Sequence, residues 1–422
     1  MLLSLFLSSL CAQGGTTILI DELVGVQDFQ RLGHAITDMG DVNGDGVTDF
    51  ATTSAGFDFA RPEWGEGRVE VISGATLQPL FHRDARGDID FSIGDMLQNL
   101  GDINGDGIND LFISASGPVF AYVVSGVDGT LLYRMVADDQ SFLSPDSMDS
   151  MTDINGDGVQ EFLIGFWAES WVNPRTGDLA FQAGAVRMYD GATGRLLQTF
   201  RGQKNFQGLG KEVAGVGDLN GDGMHDIVVL DAGFGLHNFT LRAFSSADGS
   251  EIYTLEDSRI DTLASLSVDA LDDFDGDGTN DLLLSAHTNE NQLGHTAAVT
   301  VILSGIDGHP LETIRGRSYP WPGREVRTIG DFNGDGMVDF ALGEPLLVNG
   351  IDHYSVRVIS GRDLAELAVI DSGSEHWFGS TFASVEDLDG DGRNDLMIGL
   401  PNAIAAGHAF GSQGVVQLYA LH

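Results

Sequence analysis

One nine-residue pattern, D-x-[ND]-G-D-G-x-x-[DE], occurs seven times in the 422 residues. The copies start at Asp41, Asp102, Asp153, Asp218, Asp273, Asp331 and Asp387, spaced 61, 51, 65, 55, 58 and 56 residues apart. A unit repeated at near-even spacing cannot bury its apolar face alone, so neighbouring units must stack. Each copy stands in the same surroundings. A short segment precedes it, as at 212–217 or 325–330, and an apolar run follows, as at 111–116, 227–232 or 396–401. A third run comes at 68–74, 185–191 and 355–361, and a turn at Ala192, Thr193 and Gly194 leads to a fourth at 196–200. These runs are too short for helices and rich in β-formers, so they read as strands. Four antiparallel strands per repeat make one propeller blade. The expected fold is all-β: a seven-bladed β-propeller of four-stranded antiparallel blades.

The chain ends predict how the ring closes. Residues 414–421 read as a third strand and 16–24 as a fourth, with Leu19, Ile20 and Leu23 falling where Leu196, Leu197 and Phe200 fall. The amino-terminal strand is therefore expected to complete the last blade, which removes two exposed sheet edges.

The repeated loop places side-chain oxygens at positions 1, 3, 5 and 9 and a backbone carbonyl at position 7. The first loop offers Asp41, Asn43, Asp45 and Asp49 with the carbonyl of Val47. The second offers Asp102, Asn104, Asp106 and Asp110 with Ile108, and the third Asp153, Asn155, Asp157 and Glu161 with Val159. The fourth has Asp218, Asn220, Asp222 and Asp226 with Met224, and the fifth Asp273, Asp275, Asp277 and Asp281 with Thr279. The sixth has Asp331, Asn333, Asp335 and Asp339 with Met337, and the seventh Asp387, Asp389, Asp391 and Asp395 with Arg393. Hard oxygen donors in this number suit Ca2+, up to seven ions, and no soft ligand invites zinc or copper. Glycine at position 6 permits the sharp turn. The loop is not an EF-hand, because position 12 holds strand residues such as Thr52 and Ile113 where that loop needs an acid. A plain Asn-Gly turn would not need three or four acids in nine residues.

Composition narrows the partners. With 63 acidic and 21 basic residues the net charge is −42, which disfavours nucleic acid and anionic membrane. Residues 1–12 are apolar and resemble the core of a secretory signal, with cleavage expected after Ala12 and a single propeller domain over 13–422. Cys11 is the only cysteine, so the mature chain is expected to hold no disulfide. A lipid anchor at Cys11 is disfavoured by the bulky Leu10 before it. No later stretch is long and apolar enough to be a transmembrane segment.

The repeat resembles the FG-GAP repeat of the integrin alpha-subunit head. The calcium-type loops carry the resemblance, with Phe378-Gly379 and more loosely Leu209-Gly210 for the first half of the motif, and Gly399-Leu400-Pro401 and Gly343-Glu344-Pro345 for the second. The resemblance covers residues 16–422 and implies a calcium-binding propeller; the integrin's legs and membrane span have no counterpart. The expected function is a secreted, cell-surface or periplasmic binding or adhesion module, monomeric, for an extracellular protein or glycan. Strand alternation puts the metal loops on one face of the disc and all five tryptophans on the other. Trp64, Trp167, Trp171 and Trp321 are the candidates there for ligand contact, while Trp377 is expected to pack beside Phe378. The alternative is a carbohydrate-active lyase or hydrolase using a cluster among Arg61, Arg175, His287, His295, Arg324, His353, His376 and His408. No H-E-x-x-H, G-x-S-x-G or phosphate loop supports that alternative.

Overall fold

The computed structural model describes residues 17–26, 30–54, 67–85, 92–137, 143–231, 239–257, 260–261, 267–288, 297–316, 325–348, 351–371, 378–404 and 412–421. They form seven four-stranded antiparallel blades, and no helix occurs among them. Blade 1 runs through Leu32–Gly40, Asp49–Ser54, Arg68–Ile72 and Pro79–Asp84, in that order from its first strand to its fourth. Blade 3 runs through Ser147–Ser150, Phe162–Phe166, Ala185–Tyr189 and Leu196–Arg201. Between its second and third strands a small hairpin, Trp171–Val172 against Leu179–Ala180, projects from the blade. The expected strands at 111–116, 227–232 and 396–401 are Leu111–Ser116, Ile227–Asp231 and Asp395–Leu400.

The second strands explain why those runs are apolar at every position rather than at alternate ones. Ile227 and Val229 face blade 3, while Val228 and Leu230 face blade 5. A strand sandwiched between two sheets has no solvent face, so both of its side-chain rows must be apolar. The core is accordingly divided into seven clusters, one between each pair of neighbouring blades. The last of them joins Leu32 and Phe50 of blade 1 to Met397 and Val416 of blade 7.

That junction closes as expected. Thr17–Val24 pairs antiparallel with Val415–Leu421 and is the fourth strand of blade 7. Leu19 lies opposite Tyr419 and Leu23 opposite Val416, with a bulge between Leu19 and Asp21. In blade 3, Leu196 lies opposite Tyr189 and Phe200 opposite Val186, with a bulge at the same place. The apolar burial of the closing strand is smaller than its sequence suggests: Ile18, Leu19 and Ile20 remain 37–44% exposed.

The FG and GAP glycines meet each other across blade boundaries. A Cβ on Gly399 would lie 2.1 Å from the carbonyl oxygen of Gly33, and one on Gly343 would lie 2.0 Å from that of Gly379. Side chains at these positions would force the blades apart. The same contact joins Gly165 to Gly210, at 2.2 Å. Blade 3 therefore keeps the glycine of the second half-motif, although Phe166 and Trp167 follow it.

Candidate metal centres and the opposite face

Each loop is built around the carboxylate at position 1. Asp41 Oδ1 accepts the amides of Gly44 and Asp45, and Oδ2 accepts that of Gly46. Asp102, Asp153, Asp218, Asp273 and Asp387 repeat all three bonds. Gly44 and Gly46 have φ of 78° and 88°, and no atom crowds their missing side chains. Glycine is there for its backbone freedom, not for space. The oxygen at position 3 accepts the amide of position 5, as Asn43 does from Asp45. The amides fix the carboxylates in place within loops largely exposed to solvent. Amide bonds also lower the carboxyls of Asp102, Asp153 and Asp387 below the ordinary value, against the desolvation that raises them. At Asp153 the Gly158 amide leads and holds the pKa below the ordinary value.

Position 9 proves to have a second task. Asp49 is fully buried; Oδ2 accepts the amides of Val42 and Asn43, and Oδ1 accepts that of Gly74 in the turn between third and fourth strands. Asp110 bonds Ile103 and Gly126, Asp226 bonds Leu219 and Ser246, Asp281 bonds Phe274 and Gly305, and Asp339 bonds Phe332 and Gly361. This acid ties the metal loop to the neighbouring hairpin. Its turn glycine is a residue that sequence reading missed. A Cβ on Gly74 would sit 2.0 Å from the Thr48 carbonyl oxygen. The signal was present in the repeated Ser-Gly at 73–74, 125–126, 304–305 and 360–361. Burial pushes the carboxyls of Asp49, Glu161, Asp281 and Asp339 up, and those of Asp110 and Asp226 to about 6, against the amides that lower them.

Two loops bring three carboxylates together. In the fifth, Asp273, Asp275 and Asp277 each offer an oxygen, all within 4.8 Å of one another; in the seventh, Asp387, Asp389 and Asp395 do so. These are the two loops with Asp at position 3. Oxygen donors that converge without soft neighbours fit a hard divalent cation. In the sixth loop a cation of the protein's own is already present. Arg362 Nε lies 3.2 Å from Asp335 Oδ1, and its Nη2 donates to the Asp335 carbonyl at 2.5 Å.

Antiparallel order places the hairpin 166–183 and the connections between blades on the face opposite these loops. Trp167 and Trp171 are there, both half-buried. The Trp167 indole N–H donates to Asp146 Oδ1 at 2.6 Å, and Lys211 Nζ lies 5.4 Å from its ring centre. The Trp171 indole N–H donates to the Gly202 carbonyl at 2.9 Å, and the Arg201 guanidinium lies 5.2 Å above its ring. Trp64, Trp321 and Trp377 lie outside the described residues, as do Arg61, His295, Arg324, His376, His408 and residues 1–12. Of the residues named for an enzyme, Arg175 has a described side chain, exposed on the hairpin.

The first strands line a central cavity of about 450 Å³ whose walls include His34, Asp95, Asp146, Glu212, Glu325 and Arg327. Arg327 Nε donates to Glu325 at 3.0 Å, and Asp149 accepts the Gly215 amide at 2.9 Å. Burial raises the carboxyls of Asp149 and Glu212 to about 7; at Asp149 the neighbouring Asp269 adds to the rise and Arg327 opposes it.

Seven such blades with such loops define a class, the FG-GAP-type β-propeller, and a model of the FG-GAP repeat matches residues 378–419. Within that class the chain is integrin alpha-like. Integrin alpha-PS3 of Drosophila melanogaster is 29% identical over 160 residues, covering 35% of this chain and 14% of that one. Integrin alpha-PS5 of the same organism is 30% identical over 165 residues, covering 35% and 16%. The matches thus span well under two thirds of these relatives. Among solved structures the chain is similar to BBS1N in complex with ARL6DN, soaked with mercury, with a TM-score of 0.54 and 11% identity over 97% of this chain and 98% of that chain. At that identity the likeness shows the fold alone. No helix among the described residues is long and apolar enough to cross a membrane.

Proposed function

We propose that this chain is a secreted, calcium-stabilised binding or adhesion module that presents the face opposite its metal loops to an extracellular protein or glycan. Residues 1–12 would be the leader and 13–422 the mature propeller. The observation that carries the reading is the loop: one carboxylate held by three backbone amides in six of the seven copies and by two in the sixth, with three acids converging in the fifth and seventh copies. The ions would be held by positions 1, 3 and 5, the carbonyl at position 7 and the acid at position 9. Bound calcium supplies positive charge that cancels the repulsion of three or four clustered carboxylates. The chain's part is to hold those oxygens in place and, through position 9, to pass the order of the loop to the adjacent hairpin. The likeness to integrin alpha subunits supports a binding role over catalysis.

The test is binding of the purified chain to glycan and protein arrays, with calcium and with excess chelator. Calcium-dependent capture of a glycan or protein, with no release of product from that ligand, is expected. Turnover of a polysaccharide would replace this reading with the enzymatic one.

A further inference from the structure

Basic residues are scarce in this chain, yet they gather in blade 3 and the strand that follows it, Leu209–Gly215. Residues 166–211 carry six of the 21 basic side chains (Arg175, Arg187, Arg195, Arg201, Lys204 and Lys211) and three of the 63 acidic ones (Glu169, Asp178 and Asp190). That is a local net charge of +3 in a chain of −42. The tertiary structure concentrates it further. Arg187 and Arg201 both converge on Glu169, with N–O distances of 2.7 and 3.4 Å, so two guanidiniums share one carboxylate. Arg187 is the closer partner, which leaves Arg201, 35% exposed and stacked over Trp171, only partly neutralised.

These groups border a groove of about 660 Å³ between the outer strands of blades 2 and 3, at the rim of the disc. Its walls include Glu169, Arg187 and Arg201, with the exposed Val136 and Leu196. The hairpin rooted at Glu169 adds an apolar face. Val172 and Leu179 lie opposite each other in register and are 57% and 54% exposed. Beside them Phe181 and Phe206, both exposed, stack edge to face at 5.3 Å.

We propose that this rim, the hairpin together with the groove it borders, docks a segment of a partner protein that presents carboxylates between apolar side chains. This rests on the proposed binding role and names the site and the partner's chemistry. Guanidinium forks match carboxylates, and a carboxylate there completes a pairing that Glu169 only half supplies. The exposed valine, leucine and phenylalanines ask for apolar neighbours. A polysaccharide charged on every unit would run off this small positive rim onto the acidic remainder. At physiological salt, charges farther than roughly 8 Å are largely screened, so a short acidic segment at the rim feels the local arginines rather than the distant acids.

The probe is a synthetic peptide with two glutamates set among leucine and valine, beside a version with glutamine in their place. Binding to the full chain in calcium is followed by fluorescence anisotropy at several salt concentrations. The acidic peptide is expected to bind about tenfold more tightly than the amide version, with affinity falling as salt rises. Arg175→Glu with Lys204→Glu, at exposed positions, is expected to weaken binding at least about tenfold with an unchanged melting curve. Val172→Ser with Leu179→Ser is expected to weaken it without altering the salt dependence. Equal affinity for both peptides, no binding at millimolar peptide, or indifference to the charge reversals would overturn the proposal. So would a uronate oligosaccharide that displaces the peptide from the rim. The same variants go onto the arrays. Array ligands retained by the charge-reversed chain would leave the general binding role standing and remove this surface from it.

Discussion

Asp275 and Asp389 each place a fourth carboxylate in a loop where five other loops have asparagine. More anionic ligands bind calcium more tightly, and these two loops are the ones that gather three acids within 4.8 Å. Asp389→Asn and Asp275→Asn are therefore expected to weaken calcium at their own sites, read by calorimetry; unchanged affinities would refute the charge-count argument. Loop six differs for another reason. The residue after the turn glycine is Ala75, Val127, Ala192 or Ile306 elsewhere, but Arg362 here, and its guanidinium rests on Asp335. A tethered cation competes with a free one. The pair is exposed and therefore weak, so Arg362→Ala is expected to tighten calcium at loop six by up to about fivefold. A weaker or unchanged sixth site would show that Arg362 does not compete. The spacing of the ligands was legible in the sequence, because all of them lie within nine residues. The second task of the position-9 acid was not, because its partner, the amide of Gly74 or Gly126, lies 16–25 residues away in the turn after the third strand.

Among the elements, the strand Thr17–Val24 has the clearest consequence for stability. Without it, the strand Val415–Leu421 would leave its outer backbone groups unpaired and present an open edge. Removing residues 13–24 is expected to cause aggregation or a large drop in melting temperature, whereas removing 1–12 should leave the melting curve unchanged. The partial exposure of Ile18, Leu19 and Ile20 refines the cause. Their burial contributes less than full transfer of each side chain, roughly 1.5–3 kcal/mol, so backbone pairing and the edge it covers carry more of the effect. Replacing Leu19 and Ile20 by threonine, which keeps the strand, should then cost much less than deleting it. Equal losses would put the stabilisation back in the side chains.

The whole ring responds to two titrations. Chelation would leave the loop acids without a counter-charge, most of all the clustered ones of the fifth and seventh blades, while each bound ion would stabilise the folded state by mass action. Melting temperature is expected to rise with calcium over roughly 10⁻⁴ to 10⁻³ M, the range of extracellular modules; a melting curve indifferent to excess chelator would contradict calcium stabilisation. Protons act at buried carboxyls near the middle of the ring. The carboxyls of Asp149 and Glu212 have folded pKa values of about 7, above the ordinary value. Groups raised in this way contribute stability below the unfolded pKa, near 4, and lose it as pH rises towards 7. Asp149→Asn can still accept the Gly215 amide through its side-chain oxygen. At constant saturating calcium it is expected to match the wild type near pH 4 and to be more stable at pH 8, by up to roughly 4 kcal/mol. A difference independent of pH would mean that Asp149 does not titrate in this range.

By itself the sequence determined the repeat number, the strand runs, the loop chemistry and the register of closure. These are local patterns read along the chain: a period, an apolar run, or the match of Leu19 and Leu23 to Leu196 and Phe200. Only the tertiary structure decided what happens between blades. It set Gly399 against Gly33 and gave Ile227 and Val228 to different cores. It also buried Asp149, set Glu212 on the wall of the central cavity and turned Arg187 and Arg201 towards Glu169 beside an open groove. Burial, close approach and shared charge depend on atoms from segments far apart in the chain, and their distances are fixed only when the ring has closed.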